Sequence, residues 1–387
     1  MNYSRARSTV LDKRTERLLA ASLKKDAATH EEALLGLIKE GADLETIART
    51  ARERGVSSLV YRALRFYVPV DKIGERSLQS LRVSHAASSA VNEYYKDELV
   101  RVLEHFSALD IAVIPLKGIT LAHRLYGDIA SRDRSVDVDL LVREKDKDRA
   151  GAALKELGYA RAPADEISSY EWCHTFHKPR ARMIELHWDI TMMVRSTERI
   201  EGLWEGAEET KWEGVSFYDL KPEELLLYLS AHLVNSDSFR KLKYLCDIDR
   251  LIDKYGNDID WDALAEKAVK WRLRGSLYAA LKVTDSIFDV NFPKDILGKL
   301  RLSLPKRIFI TTFANKRVML RSRFRRRLLD SFLSYILFEI SEAGSFKDHV
   351  NVFKRVCWPP REIMGKRGYL ERLCSGAVRY LTSMLNI

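Results

Sequence analysis

The stretch that decides the fold is IAVIPLKGITLAHRLYGDIASRDRSVDVDLLV, residues 111–142. It opens with an apolar run at 111–116 that predicts a short buried strand, which Lys117-Gly118 ends. Apolar residues at helical spacing follow over 119–126, and Gly127 predicts the helix end. The run 136–142 predicts a second strand. The stretch therefore predicts a strand–helix–strand unit.

The second strand carries two carboxylates, Asp137 and Asp139, separated by one residue. Because side chains alternate across a strand, both project from the same face, a few ångströms apart. Like charges held that close repel each other, so a fold that builds this pair usually supplies a cation. Mg²⁺ is typically held by one or two carboxylates together with substrate phosphates. The pair therefore predicts a Mg²⁺ site, with Mn²⁺ as the alternative ion.

Lys117 and Gly118 supply the features of a phosphate site. A glycine at a strand-to-helix turn lets backbone N–H groups approach an anion, and the helix N-terminus adds partial positive charge. Lys117 adds a full charge. A lone DxD is more often a solvated strand end, and a lone KG is more often a turn. Their combination in one unit is more specific, and it predicts binding of a nucleoside triphosphate.

A third carboxylate comes from the run MIELHWD, residues 183–189. Alternation along a strand puts Glu185, His187 and Asp189 on one face. Glu185 is therefore our candidate for the third metal ligand and for the carboxylate that helps to remove the proton of the acceptor. We expect His187 to contact substrate or metal-bound water, because Mg²⁺ prefers oxygen to imidazole. Residues 172–177 are expected to form a strand that pairs with this one across Pro179-Arg180.

The order LKG, a helix ending in LYGD, arginines and then DVDLLV resembles the uncharacterised nucleotidyltransferase family of the DNA polymerase β-like superfamily. The resemblance implies an α+β fold, with a small mixed-sheet polymerase β-like core embedded between N-terminal and C-terminal helical regions. It also implies a Gly-rich turn at Gly118, a DxD at Asp137 and Asp139, and a later acid at Glu185. The usual Gly-Ser of the superfamily is Lys117-Gly118-Ile119 here, and the run from Gly118 to Asp137 is longer than in its minimal members.

The resemblance further implies an arginine before the DxD strand. Arg132 and Arg134 both fit this position, and a guanidinium there can hold a phosphate with two hydrogen bonds. We expect one of the two to bind phosphate. The family also has a histidine followed by L-x-x-L-x-D, which His232 and Asp247 match near Lys243. The alternative is a buried, paired histidine and an aspartate on a helix surface.

Outside the core the spacing of apolar residues predicts helices. The expected regions are 1–110, an N-terminal helical region; 111–218, the nucleotidyltransferase core; 219–300, a helical domain; and 301–387, a basic helical C-terminal region. The four cysteines are scattered among 387 residues without a CxxC pair, which argues against structural zinc. No apolar run reaches the length of a membrane span, so we expect a cytoplasmic protein.

The net charge of +10 is concentrated between Lys294 and Arg327, where twelve basic residues face one acid, Asp295. This segment is read in three ways: a solvated helix face, a track for nucleic-acid phosphates, or a helix on an anionic membrane surface. No recognisable RNA- or DNA-binding motif accompanies it. We therefore favour a solvated face, with anionic surface contact through Lys294 to Arg327 as the alternative.

These observations lead to the hypothesis of two-metal, Mg²⁺-dependent nucleotidyl transfer, in which an NMP, AMP from ATP by default, moves to a hydroxyl or phosphate acceptor and pyrophosphate is released. The expected catalytic and metal-binding residues are Asp137, Asp139 and Glu185; the expected nucleotide-binding residues are Lys117, Gly118, Arg132, Arg134 and His187. The acceptor can be a small molecule, a peptide, a protein or RNA. The alternatives are nucleotide addition to tRNA or another RNA, and a non-catalytic accessory protein that binds nucleotides or membrane surfaces.

Overall fold

The computed structural model describes residues 11–25, 31–72, 75–135, 137–162, 172–190, 196–235, 241–313 and 315–320. Most of the predicted region 301–387, including the arginines at 321–327, lies outside the described residues.

Aspartate side chains start two of the N-terminal helices. Asp12 accepts hydrogen bonds from the backbone N–H groups of Arg14 and Thr15, and Asp43 accepts one from that of Thr46. Both therefore satisfy donors that have no partner within the helix. The helices of this region are α1 (Lys13–Leu23), α2 (Glu31–Lys39), α3 (Leu44–Arg54), α4 (Ser57–Tyr67) and α5 (Glu75–Ala108).

The central sheet has five strands in the order β1-β2-β5-β4-β3. Its strands are β1 (Val113–Pro115), β2 (Asp137–Val142), β3 (Ala160–Arg161), β4 (Cys173–His177) and β5 (Met183–His187). The pair β2 and β5 is parallel and the other pairs are antiparallel, so the sheet is mixed. The predicted hairpin across Pro179-Arg180 is confirmed as the pair β4 and β5.

The predicted helix after β1 is confirmed as α6 (Ile119–Tyr126), and Gly127 ends it in the left-handed conformation, with φ of 69°. Further along the chain, Pro222 begins one helix, and Asp260 caps another by accepting hydrogen bonds from the backbone N–H groups of Asp262 and Ala263. The remaining elements are α7 (Lys147–Glu156), α8 (Thr197–Glu205), β6 (Ala207–Trp212), β7 (Val215–Leu220), α9 (Pro222–Asn235), α10 (Leu242–Tyr255), α11 (Trp261–Lys270), α12 (Arg274–Phe288), α13 (Ile296–Lys299), α14 (Leu304–Phe313) and α15 (Lys316–Leu320).

Alternation along β2 sends side chains into two hydrophobic cores. Leu140 and Val142 pack in a core with residues of α5 and α7, such as Phe106 and Leu154. Leu141 points the other way, into a larger core shared by helices of both helical regions. The odd-numbered positions of β2, which include Asp137 and Asp139, therefore face the larger core.

The predicted fold class, α+β with a small mixed sheet among helices, is confirmed. Of the four cysteines, Cys173 and Cys246 lie within the described residues, and both are buried free thiols. Across the part of the chain that the structure describes, no helix combines the length and apolar character that crossing a bilayer requires.

Candidate active site

Strand pairing brings the predicted acidic residues together. The parallel register of β2 and β5 puts Asp139 opposite Glu185 and Leu141 opposite His187. Because side chains of paired residues in adjacent strands point to the same face, Asp139, Glu185 and His187 converge with Asp137 on the face toward α9 and α10. One oxygen each of Asp139 and Glu185 and one ring nitrogen of His187 lie within 4.8 Å of one another.

Lys117 reaches the two aspartates from the end of β1. Its Nζ lies 3.1 Å from Oδ2 of Asp139 and 3.6 Å from Oδ2 of Asp137. The lysine and Asp139 are each 4% exposed, so water screens this ion pair little. The Lys117 ammonium therefore acts as a counter-ion within the carboxylate pair.

His187 contacts one carboxylate from each of the strands β2 and β5. Its Nε2 lies 3.2 Å from Oδ1 of Asp139 and 3.4 Å from Oε2 of Glu185. The Trp172 ring stacks on the imidazole, with centroids 5.1 Å apart. Burial by itself lowers the pKa of His187, but hydrogen bonds to Asp139 and Glu185 outweigh it and raise the pKa to about 9. The imidazole is therefore a cation at neutral pH in this arrangement.

The surroundings shift the pKa values of the two aspartates in opposite directions. Burial and the nearby Asp139 carboxylate raise the pKa of Asp137. Burial also opposes ionisation of Asp139, but Lys117 and the hydrogen bond from His187 lower its pKa below the ordinary value. Asp139 is thus the member of the pair that is most firmly ionised.

The donor set fits a divalent cation that prefers oxygen ligands. Asp139 Oδ2 is buried and has no hydrogen-bond partner in the described ranges, although the Lys117 ammonium faces it. Carboxylates of Asp137, Asp139 and Glu185 are the ligand type that Mg²⁺ takes in proteins. These three residues could hold the ion, and the Lys117 and His187 cations balance their charge when no metal is bound.

Gly118 connects the carboxylates to the start of α6. Its backbone has φ of 93° and ψ of −130°, a conformation that side chains disfavour, and Ile119 begins the helix directly after it. The first turn of a helix has N–H groups without partners inside the helix. A narrow cleft lined by Gly118, Asp137 and Arg182 runs past this turn. The turn therefore has the geometry of an anion site.

The two predicted arginines have different environments. Arg132 is buried and holds Asp247 with Nε and Nη2, at 2.8–3.1 Å, so its guanidinium is engaged in the protein interior. We expected one of the two arginines to bind phosphate, and the guanidinium of Arg132 is held by Asp247 instead. Arg134, two residues later, has an exposed side chain. Of the pair, Arg134 is thus the residue able to reach a phosphate.

Helices α9 and α10 contribute His232 and Asp247, as the family pattern implied. His232 Nε2 lies 3.4 Å from Lys117 Nζ, and burial, followed by the lysine charge, lowers the pKa of this histidine well below its usual range. Asp247 is fully buried, so the alternative of an aspartate on a helix surface is wrong. It receives hydrogen bonds from Arg132 and from the Tyr126 hydroxyl. Asp247 therefore positions the loop before β2.

Asp189 does not join the carboxylate group, although the strand pattern put it on the same face. Strand β5 ends at His187, and Asp189 is buried in an ion pair with Arg199 of α8, at 2.9 Å. Because the chain leaves the sheet after His187, alternation no longer applies at Asp189.

The sequence pattern did not identify Arg182 or Asp133. The Arg182 guanidinium lies 4.5 Å from the Tyr95 ring centre and lines the cleft beside Asp137. Asp133 accepts hydrogen bonds from the backbone N–H groups of Ser57 and Ser58, and so caps α4 from the loop before β2. A basic residue directly before a functional strand was the available signal for Arg182. No local sequence signal indicated that Asp133 caps α4, because the two lie far apart along the chain.

Three lysines of the 294–327 segment take part in ion pairs. Lys294 contacts Asp285 at 2.6 Å, Lys299 contacts Asp295 at 2.7 Å, and Lys316 contacts Glu16 at 3.3 Å. The carboxylates in these ion pairs are partly exposed, which agrees with a solvated face for the described part of the segment. Anionic surface contact through the whole segment stays a prediction.

The comparisons with known proteins give one match. A family model described as uncharacterised nucleotidyltransferase matches residues 40–289, a range that includes every candidate site residue. No curated protein and no solved structure matches the chain. The family match covers more than half of the chain and confirms the resemblance seen in its motifs. The chain therefore belongs to the uncharacterised nucleotidyltransferase family and is an enzyme of the transferase class.

Proposed function

We propose that this enzyme transfers an NMP from a nucleoside triphosphate to a hydroxyl or phosphate acceptor and releases pyrophosphate. The observation that carries the proposal is the β2–β5 register, which brings the carboxylate of Glu185 beside that of Asp139; Asp137 of the same strand lines one cleft with the turn at Gly118. Carboxylates for a metal and an adjoining phosphate site are the two parts that phosphoryl transfer requires.

The triphosphate binds first, in this proposal, along the Gly118 turn. Backbone N–H groups at the start of α6 and the Arg134 and Arg182 guanidinium groups hold its phosphate oxygens. The acceptor oxygen then forms a bond to the α-phosphorus. The bond from that phosphorus to the α,β-bridging oxygen breaks, and pyrophosphate leaves with the electron pair.

Glu185 accepts the proton of an acceptor hydroxyl. Its side chain is 27% exposed, compared with 4% for Asp139, so an acceptor can reach Glu185 from solvent. His187 donates a hydrogen bond to Glu185 and fixes the carboxylate for this transfer. Lys117 neutralises part of the charge of Asp137 and Asp139 while the nucleotide is absent.

Asp137, Asp139 and Glu185 would hold the divalent ion, Mg²⁺ or Mn²⁺. When bound, such an ion neutralises triphosphate charge and lowers the pKa of the attacking hydroxyl. ATP is the default donor because of its abundance. The acceptor class is open, and the cytoplasm is the proposed location.

Labelled nucleotides test the proposal. The full chain is incubated with each α-³²P-labelled NTP, Mg²⁺ and a cell extract, and the labelled product is identified. We expect transfer by the wild type and loss of at least about 100-fold in Asp137→Asn and Asp139→Asn, because charge stabilisation is the main catalytic contribution. Transfer of the label by a folded Asp139→Asn at the wild-type rate would contradict the proposed function.

Addition of nucleotides to RNA remains the alternative with a specific motivation, the basic segment from Lys294 to Arg327. The labelling experiment separates the two, because RNase treatment removes the labelled product only if the acceptor is RNA. A steep fall of binding with salt would further support an RNA acceptor. A purely nucleotide- or membrane-binding accessory protein would transfer no label in any extract.

A further inference from the structure

Lys243 is a buried lysine next to the carboxylate site, in the first turn of α10. It is 7% exposed, and its aliphatic stem packs against Gly55, the residue that ends α3. A methyl group at Gly55 would lie 3.2 Å from Cδ of Lys243, and the glycine has φ of 69°, which disfavours any side chain. The turn after α3 is therefore shaped to let the lysine stem pass.

Among the residues that the structure describes, no acidic side chain pairs with the amino group of Lys243. Its Nζ lies 3.5 Å from the Arg134 carbonyl oxygen and 5.2 Å from the Tyr244 ring centre. Within the described ranges, no carboxylate oxygen lies within 4.0 Å of it. An isolated buried charge costs several kcal/mol by general estimates, so such groups are normally paired, or their pKa shifts and they become neutral.

Burial and the surrounding charges explain the low pKa of Lys243. Arg132 of the loop before β2 and Lys117 at the end of β1 repel it, whereas Asp247 of α10 and Asp137 of β2 attract it more weakly. Burial is the largest effect, and together with the two cations it lowers the pKa of Lys243 to about 7. The nearby carboxylates are already engaged, Asp247 by Arg132 and Asp137 by Lys117.

We propose that Lys243 binds a phosphate group of the nucleotide and takes up a proton when this anion arrives. The helical region that follows the sheet thereby contributes a ligand-binding residue to the site. A phosphate supplies the negative charge that the pocket does not provide, and a charge-assisted hydrogen bond from the ammonium then favours the protonated lysine. The inference rests on the proposed function only in taking a nucleoside triphosphate as the ligand.

Calorimetry at about pH 8, one unit above the pKa of Lys243, tests the inference. ATP is titrated into the full chain, with Mg²⁺ in excess in both solutions, in two buffers that differ in ionisation enthalpy. The dependence of the binding heat on the buffer gives the protons taken up. We expect close to one proton in the wild type and close to none in Lys243→Met, with an affinity for ATP about 10- to 100-fold lower in the variant.

Lys241→Met is the matched control. Lys241 lies two residues upstream and donates to the Glu53 carbonyl oxygen at 2.7 Å, so its variant should keep both the affinity and the proton uptake. The methionine side chain is similar in length to that of lysine but carries no charge. The free energy of unfolding of Lys243→Met, measured in urea, should therefore not fall. Binding of ATP by the wild type without proton uptake, or unchanged uptake in Lys243→Met, would overturn the inference and leave nucleotidyl transfer intact. Proton uptake without transfer of a label would contradict only the proposed function.

Discussion

The Lys117 ammonium lies 3.1 Å from Asp139 Oδ2, buried at the junction of β1 and β2. This lysine follows a strand that pairs antiparallel with β2, and the pairing of Pro115 with Leu140 brings the end of β1 next to the aspartates. The same group therefore balances the carboxylates from which the metal site is proposed. A cation bound by these carboxylates has to share them with Lys117.

Replacement of Lys117 should make the protein less stable and more responsive to metal. Lys117→Met leaves Asp137 and Asp139 without their common counter-ion, and breaking a buried ion pair costs about 3 kcal/mol. We expect this loss of unfolding free energy in EDTA, followed by a larger gain in Tm on Mg²⁺ addition than in the wild type. Thermal unfolding measures both. Equal Mg²⁺-induced shifts in the variant, the wild type and the exposed-site control Lys211→Met would count against this role.

The two arginines before β2 should behave differently. Arg132→Met removes one partner of a buried pair with Asp247 and should lower the free energy of unfolding by about 3 kcal/mol. Arg134→Met, at an exposed position, should change it by less than about 0.5 kcal/mol but weaken nucleotide binding. Urea unfolding and ATP calorimetry on both variants provide the comparison. A stable Arg132→Met with weakened ATP binding would reverse these assignments.

His174 should make the protein sensitive to acid. Burial, and then the Arg161 guanidinium at 2.7 Å, lower its pKa to about 4 in the folded chain, whereas the ordinary value is 6.5. The neutral ring therefore contributes stability above pH 6.5 that is lost as the pH falls from 6.5 through about 4. Because the ring is partly solvated, we expect about 1 kcal/mol.

Urea unfolding at about pH 7 and about pH 4.5 measures this effect. His174→Leu keeps an apolar contact with Trp188 and should lose less stability on acidification than the wild type. The control is His177→Leu, an exposed position on the same strand. If His174→Leu and the wild type lost the same free energy on acidification, the low pKa of His174 would be refuted.

Gly202 and Gly36 should respond oppositely to a methyl group. In α8, a Cβ at Gly202 would overlap the Trp271 indole, so Gly202→Ala should cost about 1–3 kcal/mol. In α2, a Cβ at Gly36 meets nothing within 4 Å, so Gly36→Ala should stabilise the chain by about 0.5–1 kcal/mol. The urea midpoints of both variants test the packing of α8 on Trp271. A Gly202→Ala protein as stable as Gly36→Ala would show that this contact is looser.

The sequence by itself determined the strand–helix–strand unit and the acids on it. Period-two alternation is a local property, so it was sufficient to put Asp137 and Asp139 on one face, and Gly127 was sufficient to end α6. The order of motifs within residues 111–142 was sufficient to recognise the family, and the family match over residues 40–289 confirms it.

Only the tertiary structure decided which charges meet. The β2–β5 register joins residues 46 positions apart, Asp139 and Glu185, and no local pattern specifies a register between distant strands. Two features depend on how α10 packs against α6 and the loop before β2: the pairing of Arg132 with Asp247, and the position of Lys243, which has no acidic partner among the described residues. A charge can be read from the sequence, but its partner, and with it the energetic effect of burying it, is set by long-range packing.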